Sequence, residues 1–305
     1  MKYKKVFFAA FMLLAASCGH DESLDSSVNL SNEQSQLAPV TVSVNGFSVE
    51  QGEFPETTGG STRATAVGSY GGISFVTLAF YASDGTEVYK HTQNRDDNTT
   101  FTTFGNFSLD LPLGSYTMVV LGYTLYNDDE FTLTGPTQAA FTVGSPRETF
   151  AKTQAVNVTS TSALELSATL DRIVAQLKVI STDNRPANVS NVRMTFSKGG
   201  KQFSPSTGLA TVNTGFSSTV SISSAVGERS GSISYLFLAT DEQTMDVTIE
   251  TLDSEGHMIY STVVEDVPFK RNRRTKLTGS IYPTAATSSA FSVETDWLGD
   301  QNMNF

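Results

Sequence analysis

The chain has 305 residues with 31 acidic and 20 basic side chains, so its formal net charge at neutral pH is -11. This charge repels nucleic acid and anionic lipid, which excludes simple electrostatic binding to either. The single cysteine excludes a disulfide within the chain, so stability must come from burial and from sheet hydrogen bonds. The length is comfortable for two domains.

The N-terminus has the pattern of an export signal. Three lysines among the first five residues precede an apolar run over residues 6–16, which is too short to span a membrane as a helix. We therefore interpret residues 1–17 as a signal peptide, and its removal lowers the net charge from -11 to -14 because those three lysines leave with it. The residue that follows is Cys18, the only cysteine.

A lone cysteine directly after such a run resembles a lipobox, in which the thiol is acylated and becomes the first residue of a lipoprotein. The alternative is a spare buried thiol, but no neighbouring residue could bury Cys18. Residues 19–23 resemble the acidic export tags of Bacteroidetes surface lipoproteins. Residues 21–38 are polar and lack aromatic side chains, which predicts a solvated tether behind the lipid.

The first predicted strand lies within residues 39–63. Apolar residues alternate with polar ones up to Asn45-Gly46, and the apolar face then resumes one residue out of phase. Asn45-Gly46 is therefore either a β-bulge that restores the register or a type I′ turn. The predicted buried face consists of Val40, Val42, Val44, Phe47 and Val49.

After Glu50 the alternation stops, and residues 57–63 predict a flexible, exposed spacer that ends in one basic residue, Arg63. Arg63 is the only lysine or arginine between Lys5 and Lys90. Two interpretations stay open at this point. The segment is an ordinary strand and loop, or it is a buried strand that a protease could release by cutting between Arg63 and Ala64.

The rest of the chain predicts strands almost throughout, because no segment of ten or more residues sustains a helical period. We expect an all-β fold of two tandem antiparallel β-sandwiches, an N-terminal domain over residues 38–160 and a C-terminal domain over 161–305. We assign residues 18–63 to the lipidated tether and, in the second of the two interpretations, the removable strand. The predicted strands cover 73–81, 86–91, 101–111, 115–123, 131–134, 139–143, 164–180, 189–196, 217–223, 232–238, 244–252, 257–264 and 291–298.

Several segments, in this order and spacing, resemble the Bacteroidetes fimbrillins, or type V pilins. The segments are residues 61–65 ahead of strand 75–81, residues 170–177, and residues 269–278 with 291–298. The lipobox that ends at Cys18 extends the resemblance to the N-terminus. The resemblance implies a surface lipoprotein of the outer membrane with two transthyretin-like sandwiches, which supports adhesion as part of a fimbria. It also implies that an arginine-specific surface protease cuts after Arg63. The groove left by the released strand is then filled by a strand of another fimbrial subunit.

Two departures from the family bear on the subunit's place in a fibre. The chain is shorter than the major shaft pilins, and it lacks the second cysteine that related anchor subunits carry. The shorter length leaves the place in the fibre open, whereas the missing second cysteine favours a polymerising or tip subunit over a non-polymerising anchor. A surface glycan-binding lipoprotein is the competing class, since it could share the tether and the sandwiches.

A second apolar stretch near the C-terminus could supply the replacement strand by β-augmentation. Its apolar face comprises Phe291, Val293, Thr295, Trp297, Met303 and Phe305. The alternative is that Trp297 closes the core of its own domain and residues 299–305 are a frayed tail.

Enzymatic chemistry has little support in the sequence, and we expect no cofactor and no metal. The three histidines have no partner at catalytic or metal-ligand spacing. The acidic loops at 96–97 and 128–130 leave a weak calcium site possible, although they lack the spacing of a calcium-binding loop. The basic cluster 270–274 is either a solvated edge or a docking site for an acidic patch on another subunit.

Overall fold

The computed structural model describes residues 36–48, 64–97, 99, 101–126, 128–282 and 291–295. Apart from one short 3-10 helix, Val67–Ser69, the regular elements of this part of the chain are strands, so the all-β prediction is confirmed. None of these residues forms a helix long and apolar enough to cross a membrane. The first strands are β1 (Leu37–Ser48), β2 (Ala64–Thr65), β3 (Phe75–Ala82), β4 (Glu87–Asn94), β5 (Asn106–Pro112), β6 (Gly114–Tyr123), β7 (Glu130–Gly135), β8 (Gln138–Val143), β9 (Thr149–Val158) and β10 (Leu164–Arg172).

Apart from β7 and β8, these strands build one large sheet in the order β2-β1-β10-β9-β6-β3-β4. Strand β5 also pairs with β1, on the edge opposite β10. Apolar side chains from almost every strand meet on its inner face. They form one core, which includes Val42, Phe47, Leu78, Phe107, Val120, Phe150 and Leu170. The remaining strands of the first half, β7 and β8, join a short later strand, β13 (Gln202–Phe203), in a separate small sheet.

The small sheet packs against β3 and β6 of the large sheet through an aromatic cluster. Tyr81 and Tyr123, which point away from the first core, share this cluster with Phe141, Phe203 and Phe237. The rings of Phe203 and Phe237 stack 4.1 Å apart, centre to centre. The strict two-residue period of β3 and β6 thus feeds two cores from one pair of strands.

The other strands form a second sandwich. They are β11 (Ala175–Ser181), β12 (Asn191–Phe196), β14 (Phe216–Ser221), β15 (Gly231–Leu236), β16 (Glu242–Leu252), β17 (Met258–Lys270), β18 (Arg274–Gly279) and β19 (Phe291–Thr295). They belong to two four-stranded sheets, β15-β11-β18-β19 and β14-β12-β16-β17. A core that includes Leu177, Met194, Phe196, Ile249 and Leu277 joins the two.

Three features differ from the sequence-based expectation. Strand β9 was not predicted, because Lys152, Thr153 and Gln154 interrupt its apolar pattern. The predicted strand 164–180 is two strands, which separate at Ile173 and Val174. Two pairings are parallel, β1 with β10 and β11 with β18. The domain limits 38–160 and 161–305 stay a prediction, although pairing places Leu164–Arg172 in the first sheet.

Candidate functional site

The candidate site is the place that β1 occupies in the first sheet, because β1 is hydrogen-bonded along both edges. One edge runs parallel to β10, from Val40 opposite Leu164 to Ser48 opposite Asp171. The other edge is antiparallel to β5 as far as Ser43 and then meets β2 at Phe47 and Ser48. The chain between these two contacts is held as well, since the Val44 N–H donates to the Gly105 carbonyl at 2.9 Å.

The interruption at Asn45-Gly46 is a β-bulge and not a turn. Val44 lies opposite Ala168 and Gly46 opposite the next residue of β10, so Asn45 is the extra residue. The bulge shifts the alternation by one position and returns Phe47 to the buried face. The phase change after Val44 in the sequence predicted one of two features, a bulge or a turn, and the pairing with β10 identifies it as the bulge.

Four of the five residues predicted to form the buried face lie in the first core. Val40, Val42, Val44 and Phe47 are all at most 5% exposed. Ala38 is fully buried on the same face, and we did not predict this because an alanine before a proline carries little signal. Val49, Cys18 and Arg63 lie outside the described residues. Ala64 is the first residue of β2, opposite Ser48.

The ring of Phe47 fills a slot that we call the aromatic socket, formed by Tyr70, Ile73, Gly122 and Phe150. The Phe47 ring centre lies 5.5 Å from that of Tyr70 and 4.8 Å from that of Phe150. Gly122 forms the floor, since a Cβ atom there would lie 2.6 Å from the Phe47 ring. Only glycine lets the ring approach the backbone of β6 so closely.

A buried polar network fixes one wall of the socket. The Tyr70 hydroxyl donates to Glu148 Oε2 at 2.7 Å and accepts from Arg172 Nη2 at 3.2 Å. Arg172 also forms an ion pair with Glu148 at 2.6 Å and covers the ring of Phe150 at 4.9 Å. Burial raises the pKa of Tyr70 above its usual value, and the charge of Glu148 raises it further, so the hydroxyl remains a donor.

The network extends to the second sandwich, because Arg172 Nη1 donates to Asn272 at 3.1 Å in the turn between β17 and β18. Sequence reasoning missed this network. Tyr70 is 78 positions from Glu148 and 102 from Arg172, and no local pattern relates residues so far apart.

The C-terminal stretch is partly engaged in its own sandwich. Phe291, Val293 and Thr295 lie in β19, opposite Gly279, Leu277 and Thr275 of β18. Phe291 and Val293 pack against the second core. Lys276 and Glu294 add an ion pair of 2.6 Å across the two strands. Trp297, Met303 and Phe305 lie outside the described residues.

The basic cluster lies around the turn between β17 and β18, and its described charges have partners within the chain. Lys270 pairs with Glu242, and Arg271 pairs with Asp241 at 2.8 Å. Arg274 donates to Gln176. Among the described residues, no group of three or more histidine, cysteine, aspartate or glutamate side chains could hold a metal ion.

The fold and the site therefore define an all-β protein whose first described strand, β1, lies between β5 and β10 in the same sheet. Residues 40–304 match a family described as a family of unknown function (DUF6562), and the chain belongs to that family. Among proteins with curated functions, none matches the sequence.

Several solved structures are similar in fold at low identity. A candidate adhesin from Bacteroides ovatus ATCC 8483 is 10% identical with a TM-score of 0.49, over 81% of this chain and 88% of that one. The fimbrial anchor protein Mfa2 from Porphyromonas gingivalis is 12% identical with a TM-score of 0.44, over 85% and 96%. The tip fimbrial protein Mfa3 from Porphyromonas gingivalis, truncated at its C-terminus, is 12% identical with a TM-score of 0.38, over 86% and 100%.

Proposed function

We propose that the chain is a structural subunit of a surface fimbria that supports adhesion. It is exported as a lipoprotein anchored through Cys18, cut after Arg63 by an arginine-specific surface protease, and polymerised when another subunit donates a strand. The observation that carries this proposal is the position of β1, buried on one face and paired along both edges.

The energetics of β1 explain why its removal would drive assembly. Burying each of Val40, Val42, Val44 and Phe47 stabilises the fold by roughly 1.5–3 kcal/mol before entropy is counted. Without β1, these sites become an apolar groove, and β5 and β10 each present a row of unpaired backbone groups. An extended strand satisfies both needs at once, through main-chain hydrogen bonds and side-chain pockets.

The donor in this proposal is the C-terminal stretch that contains Trp297, Met303 and Phe305. Because β19 already pairs with β18, the part that can leave the subunit without unfolding it begins after Thr295. The partners of the chain are then other fimbrial subunits, the outer-membrane lipid and the protease.

Arg63→Ala is expected to abolish maturation and leave an unpolymerised precursor at the cell surface. The change removes the only basic residue between Lys5 and Lys90, so the protease has no other site near β1. N-terminal sequencing and a detergent gel of surface material measure the outcome. Thr62→Ala, which keeps the arginine, should be cut and polymerise normally. Normal fibres from Arg63→Ala would refute the assignment.

Cys18→Ala is expected to eliminate lipid labelling. Labelled palmitate should enter the unmodified chain and the control variant Ser17→Ala, which keeps a small residue before the cysteine. If Cys18→Ala takes up as much label as these two, the lipid is attached elsewhere.

Deletion of residues 299–305 is expected to give a subunit that folds, reaches the surface and is cut, yet remains monomeric. The deletion removes Met303 and Phe305 but keeps Trp297 and all of β19, so the second sandwich retains its edge strand. A detergent gel without heating measures the polymer, which should otherwise form high-mass ladders. Ladders from the truncated chain would place the donor in another segment.

A further inference from the structure

A groove opens on the side of the first sandwich, between the edges of β4 and β5. Strand β4 ends the large sheet and β5 pairs with β1, so among the described strands each keeps one edge without a neighbour. The groove between these edges has a volume of 540 Å³, which is a usual size for a small-molecule site. None of the four residues of the aromatic socket lines it.

The inner wall of this groove is aromatic. Tyr89, His91 and Gln93 alternate along β4 and therefore point to the same side. The ring of Phe107 lies edge to face with the imidazole of His91, with ring centres 6.2 Å apart. Phe101 adds a further ring from the loop before β5. Because Tyr89, His91 and Phe101 are each half-buried, they offer ring surface to an occupant.

The outer wall is polar and uncharged. It consists of exposed hydroxyl and amide side chains from β1, β5 and the loop between β4 and β5, namely Thr41, Thr102, Thr103, Asn106 and Ser108. Within the described part of the chain these five side chains have no hydrogen-bond partner, so their donors and acceptors are available to a ligand. No aspartate, glutamate, lysine or arginine is among the described residues that line the groove.

One end of the groove is closed and held in place by Gln93, which is 2% exposed. Its side-chain amide donates to the Asn106 carbonyl at 2.6 Å and accepts from the Gly105 N–H at 2.7 Å, so it joins β4 to the start of β5. The ring of Phe101 is supported by that of Phe104, with ring centres 5.7 Å apart. A groove that is fixed before its ligand arrives loses little freedom on binding.

The two walls together suit a neutral oligosaccharide. A sugar presents a face of C–H groups, which packs on an aromatic ring, and a rim of hydroxyls, which donate and accept hydrogen bonds. The inner wall supplies the rings, and the outer wall supplies the hydroxyl and amide groups. An anionic ligand would find no cationic side chain here, and the net charge of -11 would repel it.

A peptide strand fits this groove less well than a short sugar chain. The free edges of β4 and β5 have the backbone groups that pair with an added strand. However, a strand that ran between them would have to displace the amide of Gln93, and the Gly105 N–H would lose its buried partner. An oligosaccharide of two or three units can end before Gln93 and leave both hydrogen bonds intact.

We propose that the groove between β4 and β5 binds a neutral oligosaccharide. Tyr89, His91 and Phe101 stack on the sugar rings, and the side chains of the outer wall bond to the sugar hydroxyls. The inference rests on the proposed function, because it names the class of ligand to which the fimbrial subunit adheres. Apart from Thr41, all the described lining residues follow Arg63, so they stay with a subunit that has been cut.

Isothermal titration of the full, uncut chain with a panel of neutral sugars tests the proposal. The panel is lactose, N-acetyllactosamine, maltotriose, cellotriose and mannotriose, and at least one of them should bind. Phe101→Ala should bind that sugar at least about tenfold more weakly, whereas Phe101→Tyr, which keeps a ring, should bind nearly as well as the unmodified chain. The matched control is Tyr126→Ala, which removes a ring that is 59% exposed outside the groove and should leave the affinity unchanged.

A second variant tests the outer wall without altering a ring. Thr102→Ala combined with Ser108→Ala removes two exposed hydroxyls, so the chain should fold normally and bind the sugar more weakly. Thermal unfolding of each variant confirms that it is folded. Sialyllactose, which adds a negative charge to lactose, should bind no more tightly than lactose itself.

The outcomes separate this inference from the function on which it rests. Failure of all five sugars to bind, or equal affinity of Phe101→Ala and the unmodified chain, would overturn the site. Tighter binding of sialyllactose than of lactose would overturn the neutral class of ligand. A detergent gel of the same chain after the cut at Arg63 reports assembly independently. Ladders without sugar binding would leave the fimbrial function in place, whereas sugar binding by a chain that never polymerises would overturn that function and keep the site.

Discussion

Replacing Phe47 by alanine in the uncut chain is expected to lower the free energy of unfolding by about 3–5 kcal/mol, the usual effect of deleting a fully buried ring. The ring is 0% exposed and contacts Tyr70, Phe150 and the backbone at Gly122. These walls are held by the network around Arg172 and by the sheet, so they cannot collapse far into the empty space. The loss should therefore lie near the upper end of that range.

Urea unfolding monitored by tyrosine fluorescence measures the effect. The matched control is Thr41→Ala, on the same strand and with the same pairing, because Thr41 points to solvent; it should change stability by no more than about 0.5 kcal/mol. A loss below about 1 kcal/mol for Phe47→Ala would mean that the neighbouring side chains move readily into the space that the ring leaves.

The contacts of β1 that stabilise the uncut chain also decide how firmly the strand is held after a cut at Arg63. While β1 is covalently attached, its burial is an intramolecular contribution to folding. After a cut at Arg63 the same contacts hold a separate fragment, so its retention depends on concentration and on competing strands. A chain that is stable before the cut can thus become open to exchange after it without any other change in sequence.

The buried face of β1 could be predicted from sequence because a two-residue period is a direct consequence of strand geometry. Val40, Val42 and Val44 are β-branched and alternate with polar residues, and the phase change before Phe47 needs one extra residue. The sequence left a bulge and a turn open. Pairing with β10 on both sides of Asn45 decides for the bulge.

The neighbours of β1 could not be predicted in the same way. Alternation states which face is buried but does not state which strand lies beside it, or in which direction it runs. The parallel partner, β10, follows β1 by more than a hundred residues, and its own pattern merged with that of β11. Strand β9 was missed for a related reason, because its polar middle residues are only partly buried and carry no regular period.

The network at Tyr70, Glu148 and Arg172 marks the limit of sequence reasoning for the site. In the sequence each of these residues is an ordinary polar residue: Tyr70 follows the 3-10 helix, Glu148 precedes β9 and Arg172 ends β10. Their importance arises only when β9 and β10 bring Glu148 and Arg172 against the loop that follows β2. The socket wall depends on a contact among three segments that no single motif encodes.

Arg172→Met is expected to destabilise the chain by about 3–5 kcal/mol, because it removes one partner of a buried ion pair and leaves the charge of Glu148 uncompensated. The side chains of Arg172 and Glu148 are 7% and 14% exposed, so water cannot readily replace the missing partner. Methionine keeps the length of the side chain over Phe150, so the loss reports the charge and its hydrogen bonds. Urea unfolding again provides the measurement.

Two further variants make this prediction specific. Lys90→Met removes a partner from the exposed pair with Glu87, whose side chains are 36% and 40% exposed, and should change stability by at most about 1 kcal/mol. Adding Glu148→Gln to Arg172→Met should recover part of the loss, since the neutral amide no longer leaves a buried charge without a partner. If Arg172→Met is as mild as Lys90→Met, the network does not hold Tyr70 in place and the socket wall must be supported by packing alone.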